Sequence, residues 1–277
     1  MSVTARALWY IESHLNGDLS LESIATDVGV SPYHLSRAFS TATGYGPTLY
    51  VRCRRLSRAA KALLDGAPDI LSVALDAGYG SHEAFTRAFR QHFGLTPEQA
   101  RAQRPVTNLN LLEPIRMPTT STTPIAPARI AERDAMLLFG LSQHYLPQST
   151  AGIPSQWEQF LTHFGHIQNQ IDRIAYGVIY NADDAGSFDY ICGIEVSDFP
   201  SQPSEFTRLR IPPQTYAVFL HSGHISSIGA TCSAIWNQGL PDSGYKAADG
   251  PWFERYDERF DSRTGLGGLE IWIPIVR

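Results

Sequence analysis

The chain has 277 residues, 43% of them hydrophobic and 11% aromatic, enough for about two ordinary domains with buried cores and too many for a disordered chain. It has no run of about 18 apolar residues that would cross a membrane, its first residues, MSVTARALWY, lack the pattern of a secretion signal, and Cys53, Cys192 and Cys232 are too scattered for a disulfide framework or a structural zinc site, so a cytoplasmic protein without cofactor is expected. The net charge of −5 is uneven: residues 1–105 carry 11 Lys or Arg against 9 Asp or Glu, and the rest 11 against 18, which fits phosphate contact by the front of the chain alone.

That front half repeats itself at an offset of about fifty residues. Ile24-Ala-Thr-Asp-Val-Gly29 returns as Val73-Ala-Leu-Asp-Ala-Gly78, Ser31 as Ser81, Arg37-Ala-Phe39 as Arg87-Ala-Phe89, Gly44 as Gly94 and Pro47 as Pro97. Each copy reads as two short helices around a glycine turn. Ser31 and Ser81 cap the second helix, with Pro32 well placed at a first helical position. Leu35 and Phe39, like Phe85 and Phe89, form an i, i+4 buried stripe. The open faces carry Tyr33, His34, Ser36 and Arg37 in one copy and His82, Glu83, Thr86 and Arg87 in the other. Between the copies Thr48–Leu64 predicts a long Arg- and Ala-rich helix, started by Pro47 and stopped by Gly66 and Pro68.

A short helix, a tight turn and a polar second helix make a helix-turn-helix, whose second helix enters the major groove. The shape also fits a helical bundle without nucleic acid, but the duplication, the matched arginines and the basic balance favour double-stranded DNA. Two copies on a connecting helix could reach grooves about 34 Å apart. Arg37 and Arg87 suit bidentate bonds to guanine. Arg52, Arg54, Arg55 and Arg58 read as phosphate anchors, or in part as a solvated helix face. Glu83 suits either a cytosine amino group or the helix dipole.

Arg55-Leu56, Ala60, Leu63, Ile70, Val73-Ala74, Gly78-Tyr79, Ser81, Phe85, Arg87, Phe89, Phe93-Gly94, Thr96-Pro97 and Arg101 resemble the signature of the AraC/XylS regulators. The resemblance covers roughly residues 3–104 and implies promoter DNA as partner. By it, Tyr33, Ser36 and Arg37 would face one groove, and His82, Glu83 and Arg87 the next. Family members carry a Trp and a Gln where this chain has Tyr33 and Ser36, so the base sequence read by the first helix does not carry over.

Residues 106–124, rich in Pro and Thr, read as a linker, though Asn110–Met117 could already be a first strand. From 125 to 277 strands alternate with helices in two similar halves. The first half runs from a strand at Ala135–Gly140 to a helix with Trp157, Phe160 and Phe164, then a hairpin of Ala175–Tyr180 and Phe188–Val196. The second runs from Thr215–Ser222 to a helix with Ile228, Ile235 and Trp236, then a hairpin of Trp252–Phe260 and Gly268–Val276. Two strand-helix-strand-strand units around a cleft give an α+β domain behind the all-α tandem helix-turn-helix.

The last strand places Leu269, Ile271, Ile273 and Ile275 on one face and Glu270, Trp272 and Pro274 on the other. A carboxylate beside an indole suits an organic cation or a flat apolar ligand. An exposed sheet face with an ordinary Glu is the alternative. Ile153-Pro-Ser-Gln-Trp157, Tyr216–Gly223, Ile235-Trp-Asn237, Leu240–Tyr245, Phe253-Glu-Arg-Tyr256 and Glu270–Ile275 resemble a GyrI-like effector domain. That resemblance covers about 110–277 and implies a ligand cleft between the halves with aromatic walls, the carboxylate matching Glu270 at its floor, and multidrug-type sensing. Tyr145, Trp157, Tyr190, Trp236 and Tyr256 are wall candidates that ordinary core packing would explain equally. His163-x-x-His166 and His221-x-x-His224 have metal-compatible spacing without a third ligand and are set aside. The expected protein is a nucleoid-associated transcription regulator, not an enzyme, that answers a hydrophobic or cationic effector through RNA polymerase. A hydrolase of reactive small molecules, with Glu270 as general base, and a protein-contact module on a constitutive DNA binder are the alternatives.

Overall fold

The computed structural model describes residues 2–67, 69–102, 109–117, 125–146 and 149–276. Its first part is helical: α1 (Val3–Ser13), α2 (Leu21–Val28), α3 (Pro32–Thr43), α4 (Pro47–Leu64), α5 (Ile70–Asp76), α6 (His82–Phe93) and α7 (Pro97–Ala102). Local chemistry sets the boundaries of the repeat. The Ser31 and Ser81 hydroxyls accept from the backbone N–H of His34 and Ala84, and Gly29 and Gly78 take φ values of 76° and 80°, a region where Cβ is costly. Leu35, Phe39, Phe85 and Phe89 are fully buried.

Two different cores result. α4 to α7 close around Leu56, Leu63, Phe85 and Phe89. The core of α1 to α3, with Leu8, Ile24, Leu35 and Phe39, runs on without a break into the second domain through Trp236, Leu240 and Trp252. Within α4, Arg54 is buried and grips Glu12 of α1 with two hydrogen bonds of 2.8 and 2.9 Å, while donating to the Leu112 carbonyl. It is a structural cross-brace, which removes it from the expected phosphate anchors. Of the expected linker, residues 109–117 contain no strand and lie along α4, with Leu112 N–H on the Ser57 hydroxyl and Ile115 N–H on the Tyr50 phenol. The rest of it, 106–108 and 118–124, falls outside the described residues.

The second part contains β1 (Arg129–Arg133), β2 (Met136–Tyr145), α8 (Ile153–Leu161), β3 (Gln170–Tyr180), β4 (Phe188–Val196), β5 (Thr207–Ile211) and β6 (Gln214–His221). There follow α9 (Ile228–Ala234), continued by a π-helical turn (Ile235–Gly239), then β7 (Lys246–Ala247), β8 (Trp252–Tyr256) and β9 (Leu269–Val276). The strands pair antiparallel in the order β1-β6-β9-β8-β3-β4-β2-β5, with β7 against β9. The halves expected from the sequence are therefore β2-α8-β3-β4 and β6-α9-β8-β9. Each is preceded by a short strand that pairs with the other half: β1 with β6, and β5 with β2.

Because β1 and β2 are separated by only Asp134 and Ala135 yet lie toward opposite ends of the order, the sheet must curl until its ends meet. The curl encloses one face, a cluster of Met136, Tyr176, Tyr216, Phe253 and Trp272. α8 and α9 cover the other. Among the described residues no helix is long and apolar enough to cross a membrane.

Candidate functional site

The two reading helices meet opposite environments. On α6, Glu83, Arg87 and Arg90 are exposed and His82 pairs with Glu98 of α7 at 2.9 Å. The Glu83 carboxyl is held below the usual range by its own backbone N–H and the Ser81 hydroxyl, as a carboxylate at a helix start should be. Arg52 on α4 is exposed. Arg55 donates to the carbonyls of Leu15 and Gly17 at 2.9 and 2.5 Å, so it braces the α1–α2 connection.

On α3, His34, Ser36 and Arg37 are only 5%, 3% and 4% exposed. His34 Nε2 lies 2.7 Å from the Trp236 carbonyl, the Tyr33 hydroxyl donates to the Gly250 carbonyl at 2.8 Å, and Arg37 Nη2 donates to the Asp183 carbonyl at 3.3 Å. Burial pushes the Tyr33 phenol up to about 12. Burial also pulls the Arg37 guanidinium down, against the opposing pull of Tyr33, Asp183, Asp184 and Asp249. The first helix thus does not present the open face that its sequence predicts, because the second domain sits on it.

The second site lies under α8, on the helix-covered face of the sheet. Register places Glu254 of β8 opposite Ile271 on one side and Gly177 on the other. Tyr190 and Tyr256 both donate to Glu254 Oε2 at 2.8 Å, and Trp157 of α8 donates its indole N–H to the Tyr190 hydroxyl at 3.0 Å. Trp157 and Tyr256 meet edge to face at 5.0 Å. Gly177 makes room for the network, since a Cβ there would stand 2.1 Å from the Tyr190 hydroxyl and 2.7 Å from the Glu254 carboxylate. Desolvation raises the Glu254 carboxyl above its ordinary value, only partly offset by the two phenols. No basic side chain is hydrogen-bonded to or paired with this carboxylate among the described contacts, so a cation would find an uncompensated charge here.

A profile of the GyrI-like small molecule binding domain matches residues 127–276, more than half of the chain, and one of a helix-turn-helix domain matches 24–103. The chain belongs to the AraC-type regulators that carry a GyrI-like domain. It is 26% identical to the transcriptional regulator Rob of Salmonella typhimurium over 98% of this chain and 96% of Rob. It is 33% identical to the multiple antibiotic resistance protein MarA of the same organism over 36% of this chain and 76% of MarA. With the transcriptional regulator BrlR of Pseudomonas aeruginosa it shares 32% identity over 53% of this chain and 55% of BrlR, about half the length of that relative. As an AraC-type regulator it binds DNA through the helix-turn-helix region, and its GyrI-like domain is a small-molecule binder.

Within this GyrI-like domain Glu270, the floor residue expected from the sequence, already has basic partners. Alternation along β9 places Glu270 and Trp272 on one face as expected, but that is the curled face, away from the helices. Glu270 is paired there with Arg129 at 3.1 Å and Arg255 at 3.4 Å and accepts from the Trp272 indole at 3.0 Å. Trp272 stacks on Phe253 at 5.4 Å and lies beneath Arg129 and Arg133. A carboxylate already holding two guanidiniums has little left for a cationic ligand.

Of the wall candidates, Trp157, Tyr190 and Tyr256 converge on Glu254. Tyr145 is one step removed, 6.4 Å from Tyr190 and hydrogen-bonded to Gln156 at 2.8 Å. Trp236 belongs to the contact with α3. The signal missed was Trp252-x-Glu254-x-Tyr256, a carboxylate flanked by two aromatics on one strand face. His221 is taken up by Thr231 and the His224 carbonyl at 2.8 and 3.1 Å.

Proposed function

We propose that this regulator senses a lipophilic aromatic cation on Glu254, between Tyr190, Tyr256 and Trp157. One observation carries the reading: a buried carboxylate whose side-chain partners among the described residues are two phenols. A buried charge without a countercharge is costly to a fold and survives where a ligand supplies the countercharge. The electron-rich faces of the indole and phenols add attraction for the same cation. Trp157, half-buried at the rim, is the side chain that moves to admit it. On the DNA side, α6 reads bases through Arg87 with Ser81, His82 and Glu83 near the helix start, and Arg52 contacts phosphate. Effector binding then alters promoter activity through the way the DNA-bound chain meets RNA polymerase in the bacterial nucleoid.

The test is equilibrium binding of tetraphenylphosphonium to the full chain at neutral pH. Glu254→Gln should weaken it at least tenfold, whereas Glu270→Gln should leave it within about twofold; the reverse pattern would restore Glu270 as the floor. The pH dependence has a definite sign. With its carboxyl raised by burial, Glu254 contributes to folding stability below the ordinary value of 4.5, and that contribution is lost as pH rises through the raised value. Cation affinity runs the other way, growing as pH rises over the same window, because the ligand selects the ionised form. Glu254→Gln should flatten both slopes.

A further inference from the structure

α3 and α6 are copies of one element, yet only α6 is free to meet DNA. The second domain covers α3 with main-chain carbonyls of Trp236, Gly250 and Asp183, bonded to His34, Tyr33 and Arg37. Its β3–β4 hairpin tip also seats against the start of α4, where Gly46 N–H donates to the Ala185 carbonyl at 3.2 Å and the Thr48 hydroxyl to the Asp184 carbonyl at 3.1 Å. The carboxylates of Asp183, Asp184 and Asp249 act on Arg37, so its charge is engaged by the second domain.

The fit is incomplete. Among the described residues, Ser36 Oγ and Arg37 Nε on one side, and the Trp236 indole N–H on the other, are buried without hydrogen-bond partners. Permanent interiors satisfy nearly all such groups, and each orphan weakens the contact that buries it. Apolar packing holds the surfaces together, with Tyr33 and His34 edge-on to Trp236 at 6.1 and 5.5 Å. Unpaired polar atoms favour release.

We propose that the effector domain is an intramolecular competitor of DNA: docked on α3, it keeps the first reading helix out of the major groove until the contact opens. A reading helix works only when its side chains reach base edges, so α3 holds either the effector domain or a groove, never both. In the closed chain a single groove is read, by α6. The opened chain reads two, about 34 Å apart. A route from effector to contact exists: Trp252 lies two residues before Glu254 on the same strand face and meets Trp236 edge-on at 6.1 Å. That link rests on the effector reading above, whereas the competition does not, and the experiment below contains no effector.

Gly46 offers a wedge. Its φ of −69° suits any L-residue, but a Cβ would stand 2.2 and 2.3 Å from the carbonyl carbon and oxygen of Ala185, both backbone atoms. Gly46→Ala therefore pries the hairpin tip away without changing charge or any reading side chain. Asp183→Lys with Asp184→Lys opens the contact from the opposite side by repelling Arg37. Full-length wild type and both variants are used to select sites from a random duplex library, then titrated on the selected duplexes and on a scrambled one. Wild type should select an element of one groove. Each variant should select two elements about one helical turn apart and prefer that duplex over the scrambled one at least tenfold more strongly than wild type does. Arg37→Ala should matter only in the opened backgrounds. Thermal melts accompany each chain, and should one variant fail to fold, the other, made in a different domain, decides. Folded variants that select the wild-type site with affinities within twofold would overturn the proposal.

Discussion

α3 and α6 have the same cap, the same i, i+4 buried pair and the same terminal glycine, with φ of 75° at Gly44 and 77° at Gly94. Their inward faces are interchangeable. Their outward faces are not: Arg87 is solvent-exposed and Arg37 is 4% exposed. The two arginines hold matched positions, so the difference lies in their surroundings. It arises because α3 shares a continuous core with the effector domain while α6 belongs to a bundle that closes on itself. The inward face of a repeat is fixed by its own folding, and the outward face by whatever docks on it.

The comparison is most strongly tested in the two cores. Phe39→Ala and Phe89→Ala each remove a fully buried ring and should each cost about 3–5 kcal/mol. Hydrogen exchange should show the first loosening α1 to α3 together with α9, and the second loosening only α5 to α7. Loosening of α9 by Phe89→Ala would show that the cores are not separate. Next in size, Arg87→Ala should lose about 1–3 kcal/mol of discrimination for the selected site, while Arg37→Ala in the closed chain should leave it nearly unchanged. Equal losses in a titration would mean that both helices read DNA in the resting protein.

Smaller effects sharpen the same contrast. Ser31→Ala and Ser81→Ala should each cost about 1 kcal/mol in chemical denaturation, since both hydroxyls accept a backbone N–H in the same way. A marked inequality would show docking reaching into the cap. The smallest effect is on pH. Burial against Trp236 lowers His34 from its ordinary 6.5, so the open state binds a proton more readily than the closed one. Closure should hold above pH of about 6.5 and weaken below it. The radius of gyration from small-angle scattering should rise on that descent, and His34→Gln should remove the response.

Much of this fold was legible because its causes are local. Gly29, Gly78, Ser31, Ser81 and Pro32 act within one turn of chain, so the duplicated helix-turn-helix could be drawn from spacing alone. Short apolar runs marked β2, β3, β4, β6, β8 and β9, and alternation set the parity of β9, for the same reason. β1 and β5 escaped notice: RIAER and TRLRI are five residues long with charged positions, and each is a strand only because the other half offers it an edge. The effector site was half legible. Parity along β9 was right, yet parity cannot say which of two buried faces the helices cover, and so Glu270 drew attention while Glu254, the carboxylate on the helix-covered face, went unread.

By itself the sequence determined the repeat, the caps, the strand parity and the family, all of which depend on interactions spanning a few residues or on motif identity. Only the tertiary structure decided which carboxylate is left without a cation and which reading helix is covered. Both depend on charges and surfaces brought together from positions far apart in the chain, Arg129 with Glu270 and Arg37 with Asp183, and no local pattern encodes the meeting of groups separated by more than a hundred residues.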